Sequence, residues 1–306
     1  MIHIFYDDKF NIDLGVLNIL HPFDGLKFKK ILNDIKSNEN IEIHSAISPI
    51  SMDIINEFSN ELMQMLIVEK VPLMRALEVP NIPFVSYKYL ESKVLIPMKC
   101  GVHATLKAAK LALKGEVCWN LSGGYHHASQ HSMEGFCIYN DIAITYQELI
   151  KSGELSPEDN VLIIDIDAHH GNGNARAFMD NNKIKILDVY NKTIYPLTNS
   201  TRERVNFRVP LPANVMPEEY LSSYKKALSE LTENYKIAFI VAGTDVLKAD
   251  KLGGMNLTIN DVVERELLTL SRLNELEIPA VFLGAGGYSR ESAAAAAASI
   301  NKLSQM

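Results

Sequence analysis

Apolar and polar positions along this chain fall into two alternating rhythms. Short, nearly continuous apolar runs recur at Ile2–Tyr6, Val117–Leu121, Val161–Asp167, Ile184–Val189, Ile237–Val241 and Ala280–Leu283. Their length and β-branched content predict strands. Between them, apolar residues at helical spacing predict helices over Phe28–Ile35, Gly101–Leu113, Ile142–Lys151, Pro217–Tyr235 and Val262–Leu273. The alanine run 293–298 follows Arg290-Glu291-Ser292 and reads as a packed C-terminal helix, since alanine is the best helix former. Strands that are apolar throughout and alternate with helices imply a parallel sheet covered on both faces. No linker and no repeat of fixed period interrupts the pattern, so residues 1–306 are read as one domain.

The polar residues that interrupt this pattern cluster just after strands. Ser122-Gly123-Gly124-Tyr125-His126-His127 follows one run and Asp165-Ile166-Asp167-Ala168-His169 ends the next. Ala242-Gly243-Thr244-Asp245 and Gly284-Ala285-Gly286-Gly287-Tyr288 follow two more. In open α/β sheets ligands bind outside the carboxyl ends of the strands, so four such ends are expected to converge.

Side chains along a strand repeat with period two, which sets Asp165, Asp167 and His169 on one side. Carboxylates are rarely buried unless paired or bound to metal. Oxygen and nitrogen donors suit zinc or iron, and catalytic sites commonly keep three protein ligands and an open position. Asp245 supplies the third ligand beside Asp167 and His169, although alone it would read as a cap or turn residue. Asp165 lies one pleat deeper and reads as a carboxylate that orients a histidine.

His126 and His127 follow a glycine turn from which both can reach one site. Histidine takes and gives protons near neutral pH, as hydrolysis of an amide requires. Asn172 is positioned to hold one of them through its amide oxygen. Tyr288 brings a phenol that can donate to a developing oxyanion, against the plainer reading of a core tyrosine. His3, His21, His44, His103 and His131 lack such a context and read as surface or satisfied core residues. The two glycine pairs are not phosphate loops, since no GxGxxG opens a helix and no GKS or GKT follows.

Composition narrows the class. A net charge of -7 argues against a nucleic-acid surface and against anionic membranes. The three cysteines form no CxxC pair, which argues against a Cys-rich zinc knot or a disulfide framework and fits a reducing cytoplasm. Met1–Asp8 reads as a first strand instead of a signal peptide, and no apolar run approaches the ~18 residues of a membrane span.

Taken together these motifs make the chain resemble the zinc-dependent histone deacetylase superfamily, most closely its class IV branch. The match runs from about Phe5 to the alanine-rich helix. It includes Leu20-His21-Pro22-Phe23-Asp24, Gly123–Ala128, Gly135-Phe136-Cys137, Ile164–His169, Phe178-Met179-Asp180, Asp188–Asn191, Ala242–Asp245, Leu252-Gly253-Gly254 and Gly286-Gly287-Tyr288. The resemblance implies a three-layer arginase/deacetylase-type α/β fold with a central eight-stranded parallel sheet. It implies zinc, or Fe2+ in the cell, on Asp167, His169 and Asp245, with His126 and His127 beside it, Asp165 paired with His126 and Tyr288 on the substrate carbonyl. It also implies a structural potassium ion on main-chain oxygens around Asp165, Asp167 and His169, with Asp188 and Val189. Gly135, Phe136 and Tyr195 are expected along the substrate tunnel. Where class I members have aspartate this chain has Asn172, which stabilises an imidazolium on His127 less. No basic tail precedes Met306, so chromatin targeting is not expected.

The expected activity is removal of an acyl group, acetyl or long-chain fatty acyl, from an acylated lysine of a protein or peptide. The class IV resemblance implies a preference for long chains, and Phe136, Cys137, Tyr195 and Leu197 are the apolar candidates near the site. One alternative is an acetylpolyamine amidohydrolase acting on small acylated amines. Another is a two-manganese ureohydrolase, which would want carboxylates where Gly171 and Leu247 stand. A third is an inactive acyl-lysine-binding module. Oligomeric state is not legible.

Overall fold

Eight strands form a single sheet in which every neighbouring pair is parallel. This computed structural model describes residues 1–14, 22–232 and 234–306. The strands are β1 (Ile2–Phe5), β2 (Ile41–His44), β3 (Val117–Asn120), β4 (Val161–Asp165), β5 (Ile184–Asn191), β6 (Phe207–Leu211), β7 (Ile237–Val241) and β8 (Ala280–Leu283). Their order is β2-β1-β3-β8-β7-β4-β5-β6, and the pairing is parallel throughout. Strands β1, β4, β7 and β8 are buried along their whole length. That is the burial a parallel sheet acquires when helices cover both faces.

The helices are α1 (Lys27–Ile35), α2 (Met52–Phe58), α3 (Glu61–Leu66), α4 (Lys70–Ala76), α5 (Tyr87–Leu90), α6 (Ile96–Ala112), α7 (Asp141–Lys151), α8 (Asn172–Ala177), α9 (Asn199–Arg204), α10 (Pro217–Ser229), α11 (Ile259–Glu275) and α12 (Ser292–Leu303). Helices α1, α10, α11 and α12 pack in series, and α2 and α6 pack on α7. The alanine run lies inside α12, where Ala293, Ala295, Ala296 and Ala297 are buried. Small side chains there let α1 and α11 approach closely. None of the helices among the described residues is long and apolar enough to cross a membrane.

All six predicted strands are present. The sheet adds two that the apolar pattern did not announce, β2 and β6, and they are its two edges. Pro210 lies within β6, a position that only an edge strand tolerates well. The ladder of β4 closes at Asp165, two residues before the predicted end, so Asp167 and His169 stand on the loop that follows. Helix α10 stops at Ser229, short of the predicted Tyr235, and Glu233 lies outside the described residues. So do Leu20 and His21 of the motif that begins Leu20-His21-Pro22.

The topology decides where the chemistry falls. The contiguous strands β3, β8, β7 and β4 occupy the centre of the sheet. They are the four whose following segments carry the polar motifs, so those segments leave neighbouring strand ends on one side of the molecule.

Candidate active site

Asp167, His169 and Asp245 offer one donor atom each, all within 4.8 Å of one another. His169 Nδ1 is 3.1 Å from Asp167 Oδ1 and 2.8 Å from Asp245 Oδ2. One imidazole N–H cannot satisfy two carboxylates at once, and both carboxylates are fully buried. Backbone amides fix the rest: Ala168 N donates to Asp245 Oδ1 and Gly286 N to Asp167 Oδ2. Burial, and then the charge of Asp167, push Asp245 up to about 6. Burial works against the charge on Asp167 as well, but His126 and His169 hold that carboxyl well below the usual range. Two buried carboxylates and an imidazole aimed at one point form a donor set that suits a divalent cation of zinc or iron type.

Two histidines face this cluster. His126 Nδ1 is 2.8 Å from Asp165 Oδ2, and His127 Nδ1 is 2.7 Å from Asn172 Oδ1. Asn172, the first residue of α8, donates its own Nδ2 to Glu134 Oε1 at 3.0 Å, which identifies its oxygen as the side facing His127. The two rings lie 4.1 Å apart and each is tied at Nδ1. His126 Nε2 stands 3.8 Å from Asp167 Oδ1. Burial disfavours charge on both rings, but Asp165 and Asp167 override it at His126 and raise it to about 9. His127 has no carboxylate partner of that kind. Burial and the neighbouring His126 and His169 hold it well below the ordinary histidine value. In the metal-free protein the pair therefore divides into a histidine that holds a proton and one that is neutral.

Position 171 must be glycine for this arrangement. A Cβ there would lie 2.2 Å from Asp165 Oδ2, so the carboxylate that a second catalytic metal would want has no room. Leu247 is fully buried in the core. Gly135 likewise passes against His127, where a Cβ would lie 2.4 Å from the ring carbon Cδ2.

Tyr288 stands between two aromatic edges, 5.6 Å from the Phe136 ring and 6.3 Å from the Phe23 ring. Its backbone N–H donates to Asp250 Oδ2 at 2.6 Å. Burial and then the charges of Asp167 and Asp245 keep the phenol protonated. His126, His127, Asp167, Gly286 and Tyr288 line a cavity whose remaining wall is mostly apolar. Gly135, Phe136 and Cys137 line it as well. Tyr195 lies beside the site instead, its ring 5.2 Å from that of His127 and its hydroxyl donating to Glu134 Oε2 at 2.6 Å. Leu197 is exposed.

Asp188 is fully buried on β5. Its Oδ2 faces His170 Nδ1 at 2.6 Å and accepts from Gly171 N, while its Oδ1 has no hydrogen-bond partner. A buried carboxylate oxygen with no partner is a feature that invites a bound cation.

Three side chains that matter here gave no sequence signal. Lys27 is fully buried and its ammonium donates to the carbonyls of Gly284, Ala285 and Gly286. Arg265, paired with Glu266 in the core, donates to Ile166 O at 2.6 Å and Gly243 O at 2.9 Å. It thereby ties together the two loops that carry Asp167 and Asp245. Glu134 anchors Asn172, Arg176 and Tyr195 together.

Comparison with known proteins agrees with this picture. A family model described as the histone deacetylase domain matches residues 32–303. Histone deacetylase 2 of Arabidopsis thaliana is 30% identical, over 99% of this chain and 79% of that protein. Type-1 histone deacetylase 1 of Dictyostelium discoideum is 26% identical, over 92% of this chain and 54% of its own length. Among solved structures, an HDAC homolog from Aquifex aeolicus superimposes with a TM-score of 0.73 at 23% identity, covering 99% of this chain and 84% of that one. The HDA15 HD domain gives a TM-score of 0.74 at 17% identity, covering 99% and 90%. The two structural likenesses bear on the fold.

Proposed function

This chain belongs to the histone deacetylase family, and from that premise we propose that it hydrolyses the amide of an acylated lysine side chain through a single catalytic domain. The observation that carries the reading is the convergence of three buried metal-type donors, two differently tuned histidines and a protonated phenol at a mostly apolar cavity. Asp167, His169 and Asp245 would hold a zinc ion, with Fe2+ as the cellular alternative. A cation there supplies Lewis-acid polarisation of the carbonyl and makes a water more acidic.

The chain's own residues divide the remaining work. His127 is neutral and aimed by Asn172, so it takes the proton from the attacking water. His126 is held protonated by Asp165 and lends positive charge beside the developing anion; either ring then delivers a proton to the leaving amine. Tyr288 donates its O–H to the carbonyl oxygen as negative charge grows on it. Phe136 and Phe23 pack against the Tyr288 ring from two sides. A potassium ion would sit beside Asp188, with main-chain oxygens of Asp165, Asp167, His169 and Val189; the orphaned Asp188 Oδ1 supports it.

The missing space at Gly171 and the buried Leu247 weigh against a two-metal ureohydrolase. The apolar cavity wall, which includes Leu14, Met74, Leu77, Ile82 and Val85, supports an acyl group larger than acetyl.

The test is hydrolysis of acyl-lysine peptides by metal-loaded protein, with acetylated polyamines alongside. Activity should disappear on chelation and return with zinc. Asp245→Ala should lose the stoichiometric catalytic metal while staying folded. A fully metallated and active Asp245→Ala protein would overturn the ligand assignment, and efficient turnover of polyamines alone would move the substrate class.

A further inference from the structure

At the β2 edge of the sheet, two histidines set aside in the sequence, His3 and His44, come together with Glu42. His3 lies on β1, Glu42 and His44 on the edge strand β2. The parallel register places His3 opposite Glu42 and Phe5 opposite His44. Residues two apart on a strand share a face, so His3, Glu42 and His44 project together.

Their donor atoms are already compact. His3 Nδ1 is 2.9 Å from His44 Nε2. Glu42 lies across both, with Oε2 3.6 Å from His3 Nδ1 and Oε1 3.6 Å from His44 Nε2. Two donors each about 2.0–2.1 Å from a tetrahedral ion stand roughly 3.3–3.4 Å apart, so this triangle needs only small adjustments to take one. Its shortest edge, 2.9 Å, matches the 2.8 and 3.1 Å spacings of the Asp167–His169–Asp245 cluster, and the two edges to Glu42 are longer.

A fourth residue prepares the donor. Glu116 Oε2 is 3.1 Å from His3 Nε2. A carboxylate there fixes the proton on Nε2 and leaves the Nδ1 lone pair facing His44 and Glu42. A metal-binding histidine is ordinarily oriented in this way, its far N–H held by a carboxylate. His44 then donates the proton between the two rings, and the tautomer with its N–H on Nδ1 frees Nε2 for a cation. His3 is nearly buried while the side chain of Glu42 is half exposed, so the face is open to solvent on one side.

We propose that His3, Glu42 and His44 form a second, non-catalytic site for a zinc-class divalent ion, with Glu116 as its orienting carboxylate, that pins the edge strand β2 to β1. Two imidazoles and one carboxylate select a borderline ion over calcium or magnesium, which favour all-oxygen shells. The site is independent of the proposed activity.

The experiment is calorimetric titration of metal-stripped protein with zinc alone, with bound zinc counted after desalting. Wild type should take two equivalents. His44→Ala should take one and keep full activity on an acyl-lysine peptide. Asp245→Ala should also take one, and the double variant none. Should His44→Ala fail to fold, Glu42→Gln at the exposed position gives the same reading. Wild-type saturation at one equivalent that Asp245→Ala abolishes would overturn the site, as would a folded His44→Ala or Glu42→Gln protein that still takes two.

Discussion

Asn172 Oδ1 lies 2.7 Å from His127 Nδ1, and the same amide donates to Glu134 at 3.0 Å. An amide in this place passes a weak polarisation from Glu134 to the histidine without placing a charge beside it. Asn172→Asp should therefore not behave as a simple gain of a carboxylate. It would set two carboxylates against each other, and they would have to share a proton. We expect kcat/KM to fall roughly 10–100-fold, the scale of one mispaired buried group. Asn172→Asp with Glu134→Gln restores the hydrogen bond with its direction reversed and leaves a carboxylate facing His127. That double variant should recover activity, with its acidic limb moved up by about one pH unit or more. Equal pH–rate profiles for the single and double variants would refute the relay.

Much of this site was legible because strand ends leave polar residues in sharp contrast to apolar runs. Asp165, Asp167, His169, Asp245, His126, His127 and Tyr288 all stand out for that reason. Edge strands do not: β2 is a four-residue alternation, and Pro210 argues against β6 until its edge position is known. Lys27 and Arg265 were invisible for a different reason. A long cation on an amphipathic helix reads as solvent-facing, and here backbone carbonyls answer the charge, which leave no trace in the sequence. Helix α8 (NGNARA) has a weak intrinsic helical preference and is held by its contacts.

Lys27 gives a pH signature. Burial lowers its ammonium from 10.5 to about 8, with Asp245 and Asp167 opposing the shift. Between those values the unfolded chain keeps a proton that the folded chain has released, so its contribution to stability rises with pH. The contribution is complete above 10.5 and is lost as pH falls through 8. For metal-free protein, urea unfolding at pH 7 and pH 10 should show wild type gaining on Lys27→Met by up to about 3 kcal/mol. A difference between the two proteins that does not change with pH would show that the ammonium is not buried in solution.

Tyr288→Phe keeps the ring between Phe136 and Phe23 and removes only the O–H. The cavity should be unchanged, so binding of substrate should change little. If the phenol stabilises the oxyanion, kcat should fall roughly 10²–10³-fold. A raised KM with unaltered kcat would mean that Tyr288 only helps hold the substrate.

The length of the acyl group is the sharpest open choice. Gly135 passes against His127, and the cavity that Gly135 and Phe136 line is also walled by Leu14, Met74, Leu77, Ile82 and Val85. An acetyl group leaves those residues uncovered, whereas a longer chain buries methylenes against them at about 0.8 kcal/mol each. Extending acetyl to octanoyl adds about six methylenes, and ordering that chain offsets roughly half the gain. About 2 kcal/mol remains, or roughly thirtyfold in kcat/KM. The comparison is one peptide carrying acetyl-, octanoyl- or myristoyl-lysine. Leu77→Trp, which narrows the apolar wall, should reduce the long-chain advantage while acetyl turnover continues and reports an intact site. If wild type removes acetyl as fast as myristoyl, the apolar wall is core packing and not an acyl pocket, and the deacylase reading stands without it.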